Sequence, residues 1–276
     1  MSAIPGDIPG EVPGNTSAAR LGPAAGQGSP QPATGLRRVL AQARFETETL
    51  LRNGEQLLVA VLLPVAVLVA VVHTSAISIG TGRRVDLAVP GVLALCVISS
   101  AFTGQAISTG FDRRYGVLRL LGVTPLGRTG LLLGKAIAVL AVVAVQFVVI
   151  GAVGAALGWA PVAAGAAPAV VSTLLGTWAF VALALLLGGT VRAEGVLALA
   201  NLVWLALLGI GGVIVSGTEL PGTFAPIVEL LPSGALGDSL RGALVSGQAR
   251  LGDWLVLIVW ALVATLLARR FFQWSD

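Results

Sequence analysis

The sequence predicts an all-α integral membrane protein with six transmembrane helices and both termini in the cytoplasm. Three observations carry this reading. Of the 276 residues, 56% are hydrophobic and 11% charged, with a mean hydropathy of +0.92, roughly half the charge of an average soluble domain. Six continuous apolar runs occur, at about 57–79, 88–110, 131–157, 167–189, 196–215 and 254–272, each near the roughly 20 residues a membrane-crossing helix needs. With the N-terminus inside, 13 of the 17 basic residues fall on the cytoplasmic side, against Arg83, Arg84, Arg241 and Arg250 outside, as the positive-inside rule requires. A water-soluble globule is excluded. So is a β-barrel, because the runs do not alternate in polarity.

Taken in order, residues 1–35 hold 7 Gly and 6 Pro and no apolar period, which predicts a disordered cytoplasmic tail. They also lack the basic-then-apolar order of a signal peptide. From 36 to 56, Leu36, Val39, Leu40, Ala43, Leu50 and Leu51 are interleaved with Arg37, Arg38, Arg44, Glu46, Glu48, Arg52 and Glu55. This reads as an amphipathic helix on the inner membrane surface, its arginines near anionic headgroups. The transmembrane domain covers 57–272, and 273–276 form a cytoplasmic C-terminus.

Between spans 2 and 3 lies FDRRYGVLRLLGVTPLGR, residues 111–128. Phe111, Tyr115, Leu118 and Leu121 have helical spacing, Asp112 suits a first turn, Gly122 a left-handed C-terminal cap, and Pro125 stops the helix. A short amphipathic helix is expected over about 111–122, made cationic by Arg113, Arg114 and Arg119. Before the last span, about 218–250 is too apolar for a plain loop and too short in each half to cross. Pro226 and Pro232 break it into a re-entrant or interfacial hairpin on the outer side, with Asp238 and Arg241 spaced to pair on its wet face.

Few groups for catalysis are present. Cys96 is the single cysteine and His73 the single histidine, so neither a disulfide nor a Cys/His metal site is expected. Lys135, near the cytoplasmic end of span 3, is expected to snorkel, and no intramembrane carboxylate offers a proton relay. The run Gly130 to Ala136 falls short of a phosphate loop, since Thr129 and Ala136 stand where that motif needs Gly and Ser or Thr. Ser99, Ser100, Thr103, Gln105, Gln146 and Asn201 are the polar residues within spans, positioned either to line a path or to bond across helices.

Together these parts resemble the permease subunit of the ABC transporter type-2 family. FDRRYGVLRLLGVTPLGRTGLLLGK is similar to that family's coupling segment, which usually has Glu where Asp112 stands, and ELLPSGALGDSLRGAL to its stretch before the last helix. The resemblance covers about 36–272. It implies a coupling helix of Asp112, Arg113, Arg114, Tyr115, Gly116, Leu118, Arg119, Leu121, Thr124 and Pro125 that docks on a separate ATPase. It implies a connecting helix carrying Arg44, Glu46, Glu48 and Arg52, and a candidate path on spans 2 and 5 with Ser99, Ser100, Thr103, Gln105, Asn201 and Trp204. An outer hairpin with Pro226, Pro232, Asp238 and Arg241 would act near the exit.

The function so implied is export of an amphipathic or lipid-like substrate across a bacterial inner membrane, and the Ala-, Gly-, Val- and Arg-rich composition suggests a GC-rich genome. The expected partners are two copies of a cytoplasmic ABC ATPase, a second identical or paralogous permease chain, and membrane lipids, with no nucleic acid. No cofactor is expected in this chain; ATP and Mg would sit on the ATPase. A membrane-embedded lipid-modifying enzyme or a structural membrane subunit is the alternative.

Overall fold

The computed structural model describes residues 34–52, 54–74, 79–215 and 225–273. The N-terminal tail before Thr34, residues 216–224 of the outer connection and the last three residues lie outside the described set. Among the described residues every regular element is helical. The order is α1 (Gly35–Arg52), α2 (Gly54–His73), α3 (Arg84–Ile98), a π-helical turn (Ser99–Gly104), α4 (Gln105–Arg114), α5 (Val117–Gly122) and α6 (Gly127–Ala156). After a 3-10 turn (Ala163–Gly165) come α7 (Ala166–Gly188), α8 (Ala193–Ile210), α9 (Ala225–Leu230), α10 (Pro232–Ser246) and α11 (Leu251–Phe271).

Among the described residues, five segments are long and apolar enough to cross a membrane: Arg84–Arg114, Thr129–Ala156, Ala163–Gly188, Ala193–Ile210 and Leu251–Phe271. Among the described residues the apolar part of α2 is Leu58–His73, about 24 Å at 1.5 Å per residue. The expected first span, 57–79, runs on into residues 75–78, which lie outside the described set. Near the end of α2 the His73 ring nitrogen Nδ1 lies 2.9 Å from the Val69 carbonyl, within its own helix.

The core forms around α3, which is buried on every side from Ala88 to Ile98, as a central helix of a bundle must be. Helices α2, α6, α7 and α10 pack about it, and α11 lies along α7 and α10. The outer faces of α8 and α11 carry exposed Leu202, Leu205, Leu255 and Leu266, the composition lipid contact demands.

Helix α10 does not lie on the surface. From Pro232 to Arg241 it is buried, inserted between α3, α7 and α11. It starts with proline at its first position, where no backbone donor is lost. It ends at Gly247, φ 68°, whose N–H bonds the Ala243 carbonyl at 2.9 Å while the Gln248 N–H bonds Gly242 at 3.0 Å, a left-handed closure that only glycine adopts without strain. A Cβ on Gly165 would stand 1.8 Å from the Ala243 carbonyl oxygen, so α10 reaches its depth because the start of α7 has no side chain there.

Candidate functional site

At the arginine-rich end of the bundle the second span does not stop at the expected loop. Its helix runs on through Arg114, and the Tyr115 and Gly116 N–H groups close it on Phe111 and Arg113 at 2.9 and 3.0 Å. Gly116 then takes the left-handed conformation, φ 76°, and α5 begins. The single helix expected over 111–122 is thus two, divided at Gly116, because a left-handed residue ends one helix and redirects the next. Asp112 accordingly sits in the last turn of a span and not in a first turn, and Gly122 is not left-handed.

Within this segment the side chains separate sharply. Leu118 is fully buried and pins α5 to the bundle, whereas Leu120 is 70% exposed and Val123 85%. Tyr115, stacked on Phe111 at 6.1 Å between ring centroids, is also exposed. Arg119, Thr124 and Pro125 face outward beside them. The segment is held by the Arg38 Nη1 donating to the Pro125 carbonyl at 3.0 Å and by the Thr124 hydroxyl donating to Leu121 at 2.6 Å.

The three charged residues before Gly116 point elsewhere. Arg113, 3% exposed, donates from Nη2 to the Val191 carbonyl at 2.8 Å. Arg114 pairs with Glu194 at the start of α8. The Asp112 carboxylate faces inward to the Lys135 Nζ at 3.3 Å, and that ammonium is also 3.0 Å from Glu46 of α1. Lys135 does not snorkel: it is 0% exposed. On α1, Arg44 and Glu48 pair at 2.7 Å on the solvent face, and the hydrogen bond to that carboxylate holds the Arg44 guanidinium above its ordinary pKa. Arg52 is exposed.

The side of α1 turned to the protein is Gln42, Ala43 and Glu46, while Leu36, Leu40 and Leu51 stay exposed along an adjacent stripe suited to the acyl boundary. Its seat on α6 is the pair Gly130 and Gly134: a Cβ on Gly134 would come within 2.7 Å of Gln42 Cγ.

Farther into the bundle, the π-helical turn opens a cleft of about 480 Å³ lined by Ala60, Pro64, Ser99, Thr103, Asn201 and Trp204, among others. A smaller cavity beside it adds Ser100 and Gln105. The polar path residues expected from sequence, drawn from two spans, therefore meet around one turn. Ser99 Oγ donates to Leu95 at 2.8 Å and accepts from the Trp204 indole at 2.9 Å. Ser100 donates to Gln146 Oε1 at 3.0 Å, and Gln146 Nε2 donates to the Ala60 carbonyl at 2.8 Å. Pro64 has no N–H to bond that carbonyl, so Gln146 replaces the missing helical bond. Thr103 Oγ1 and Gln105 Oε1 are buried without a hydrogen-bond partner among the described residues. Asn201 bonds its own helix at Leu197, 2.8 Å.

At the opposite end, Asp238 and Arg241 do pair, at 2.7 Å, but both are buried and not on a wet face. Arg241 also donates to the Val213 and Gly212 carbonyls at 2.8 and 2.7 Å, which follow the end of α8 and have no helical partner. Pro226 lies in α9 and Pro232 opens α10.

A family model described as ABC-2 family transporter protein matches residues 80–270, well over half of the chain. The chain belongs to the ABC-2 transporter family. It is a transmembrane permease of that family, and its helices and membership together make it a multi-pass membrane protein. The match takes in the exposed segment around α5, the π-helical turn, the Asn201 and Trp204 side of the cleft, and α10, and leaves out α1 and α2. Comparison with curated proteins gives no match.

Sequence reasoning missed the roles of Lys135, Pro64 and Glu194, and left Gln146 between lining a path and bonding across helices, of which the structure shows the second. A signal existed for two of them. Lys135 is the one lysine among 17 basic residues, and Pro64 interrupts an otherwise continuous apolar run.

Proposed function

We propose that this permease is the membrane half of an ATP-driven exporter in a bacterial cytoplasmic membrane, and that a separate ABC ATPase docks on the segment from Tyr115 to Pro125. The observation carrying this reading is the exposure of Tyr115, Leu120 and Val123 beyond the end of the spanning helix, beside Arg119. Apolar groups rimmed by charge, outside the acyl layer, mark an interaction surface. Asp112 and Arg113, which point into the protein, serve to hold that surface in place and not to touch the partner.

ATP and Mg belong on the ATPase, which supplies the energy. Closure of two such motors displaces α5, and the displacement reaches the cleft through α4, a rigid helix that ends at the π-helical turn. A π turn carries one residue more per hydrogen-bonded ring than the α-helix around it, and such insertions recur at functional sites. Two permease chains, identical or paralogous, would enclose the cleft between them. Its lining mixes leucine, valine and proline with hydroxyl, amide and indole groups, which suits an amphipathic or lipid-like cargo better than an ion.

The test is capture. Full-length chain carrying a photo-crosslinking residue at position 120 is expressed with an ABC ATPase from the same genome, illuminated in native membranes and purified. A crosslinked ATPase, lost when Arg119 is changed to Glu, is the expected result. Crosslinks to lipid alone would overturn the docking assignment.

A further inference from the structure

Three elements meet at one buried ammonium. Lys135 of α6 lies 3.0 Å from Glu46 of α1 and 3.3 Å from Asp112 of α4, with no solvent exposure of its side chain. Each carboxylate oxygen it touches is also held by a neighbour: Gln42 Nε2 donates to Glu46 Oε1 at 3.0 Å, and the Ser108 hydroxyl to Asp112 Oδ2 at 3.4 Å. Everywhere else this chain uses arginine for positive charge. At this one place it has the compact ammonium, whose three donors can take carboxylates from two directions where a planar guanidinium would need more room.

A buried ion cluster is a poor way to gain stability, since desolvation offsets the attraction and apolar packing serves as well. Its distinctive property is directional: it fixes which groups lie together, and it releases them all when one is removed. The groups here are well placed for that. Asp112 precedes the exposed Tyr115 by three residues, and Glu46 is on the helix that the Gly134 groove already seats against α6.

We propose that Lys135 is a positioning residue that locks the amphipathic helix α1 and the end of the second span into one body, so that displacement of the exposed α5 segment carries α1 with it. The role in transport rests on the function proposed above; the mechanical link does not. Arg113 and Arg114 tie the same helix end to the α7–α8 connection through Val191 and Glu194, so Asp112 is the side of this hub that faces α1.

The experiment measures the link in the full chain alone, in lipid nanodiscs, with Cys96 replaced by serine and spin labels at Arg44→Cys on α1 and Arg119→Cys on α5. Labelled chains are diluted with unlabelled ones so that pulsed dipolar spectroscopy reads one intrachain distance. The intact cluster gives a single narrow distance population. Lys135→Met, or the milder Glu46→Gln and Asp112→Asn should the first not fold, broadens or splits it. Asp112→Glu, which keeps the carboxylate and changes only the volume, leaves it narrow, whereas the isosteric Asp112→Asn does not. A distribution unchanged in all three charge-removing variants overturns the proposal. Broadening by Asp112→Glu as great as that by Asp112→Asn also overturns it, since packing volume and not charge would then be responsible. Because no ATPase is present, failure here is separate from failure of the docking assignment.

Discussion

Gln146 gives its side-chain N–H to the Ala60 carbonyl at 2.8 Å, occupying the acceptor that Pro64 leaves unpaired in α2. One span thereby repairs the backbone of another, and the same amide receives the Ser100 hydroxyl of the π-helical turn. Gln146→Leu is expected to cost about 1–3 kcal/mol, the range for stranding a buried polar group. In a Pro64→Ala background the residue 64 N–H can reach Ala60 itself, and the cost of Gln146→Leu shrinks. Thermal unfolding of the four proteins of this double-mutant cycle checks the coupling; additive losses would contradict the repair.

Arg241 closes the opposite end of the bundle in a comparable way. Removing it takes from the buried Asp238 the guanidinium 2.7 Å away, and from the Gly212 and Val213 carbonyls the donor that Arg241 supplies. Arg241→Ala should lower stability by about 3–5 kcal/mol, as loss of one partner from a buried pair does. Replacing Asp238 as well recovers only part of this, since the two carbonyls still lack that donor. Differential scanning calorimetry in nanodiscs gives the comparison.

Gly165 and Gly252 make a contrasting pair. A Cβ at Gly165 would meet the Ala243 carbonyl oxygen at 1.8 Å, whereas one at Gly252 meets nothing within 4 Å. Gly165→Ala must push α10 outward, at a cost of about 1–3 kcal/mol or more. Gly252→Ala, in the first turn of α11, should be neutral or stabilising by up to about 1 kcal/mol. Protease resistance of the α9–α10 connection reports the displacement in the first variant and its absence in the second.

Leu118 and Leu120 are two residues apart and should behave oppositely. Leu118→Ala opens a cavity under α5 and is expected to cost about 2–5 kcal/mol. Leu120→Ala, at an exposed position, should leave Tm within the small range usual for surface changes while weakening capture of the ATPase. Melting curves and co-purification on the same preparations separate the two effects.

The membrane class and most span positions could be read from the sequence because hydropathy and basic-residue asymmetry are properties of the chain itself, independent of its neighbours. What could not be read depended on which face meets which. Lys135 looks like a snorkelling residue from its place near a span end, and only the docking of α1 along Gly130 and Gly134 seals it from water. Asp238 and Arg241 read as a surface pair by spacing, but α10 is inserted into the bundle, made possible by a glycine more than seventy residues earlier. The break at Gly116 competes with Gly122 for the same helix-ending role, and local pattern does not rank them. The π-helical turn leaves no periodic mark in the sequence.

The central claim is that the Tyr115–Pro125 segment is where an ATPase delivers work to this permease. ATP hydrolysis by the partner ATPase, measured with the full chain in nanodiscs, tests it most directly, comparing wild type with one segment variant that carries both Leu120→Asp and Arg119→Glu and, as a surface control on another face, Leu255→Ala. A stable complex whose hydrolysis rate depends on the permease, lost in the segment variant and kept in the control, is the predicted result. Hydrolysis equally independent of the permease in all three preparations, or a complex that survives reversal of the segment unchanged, would contradict the account.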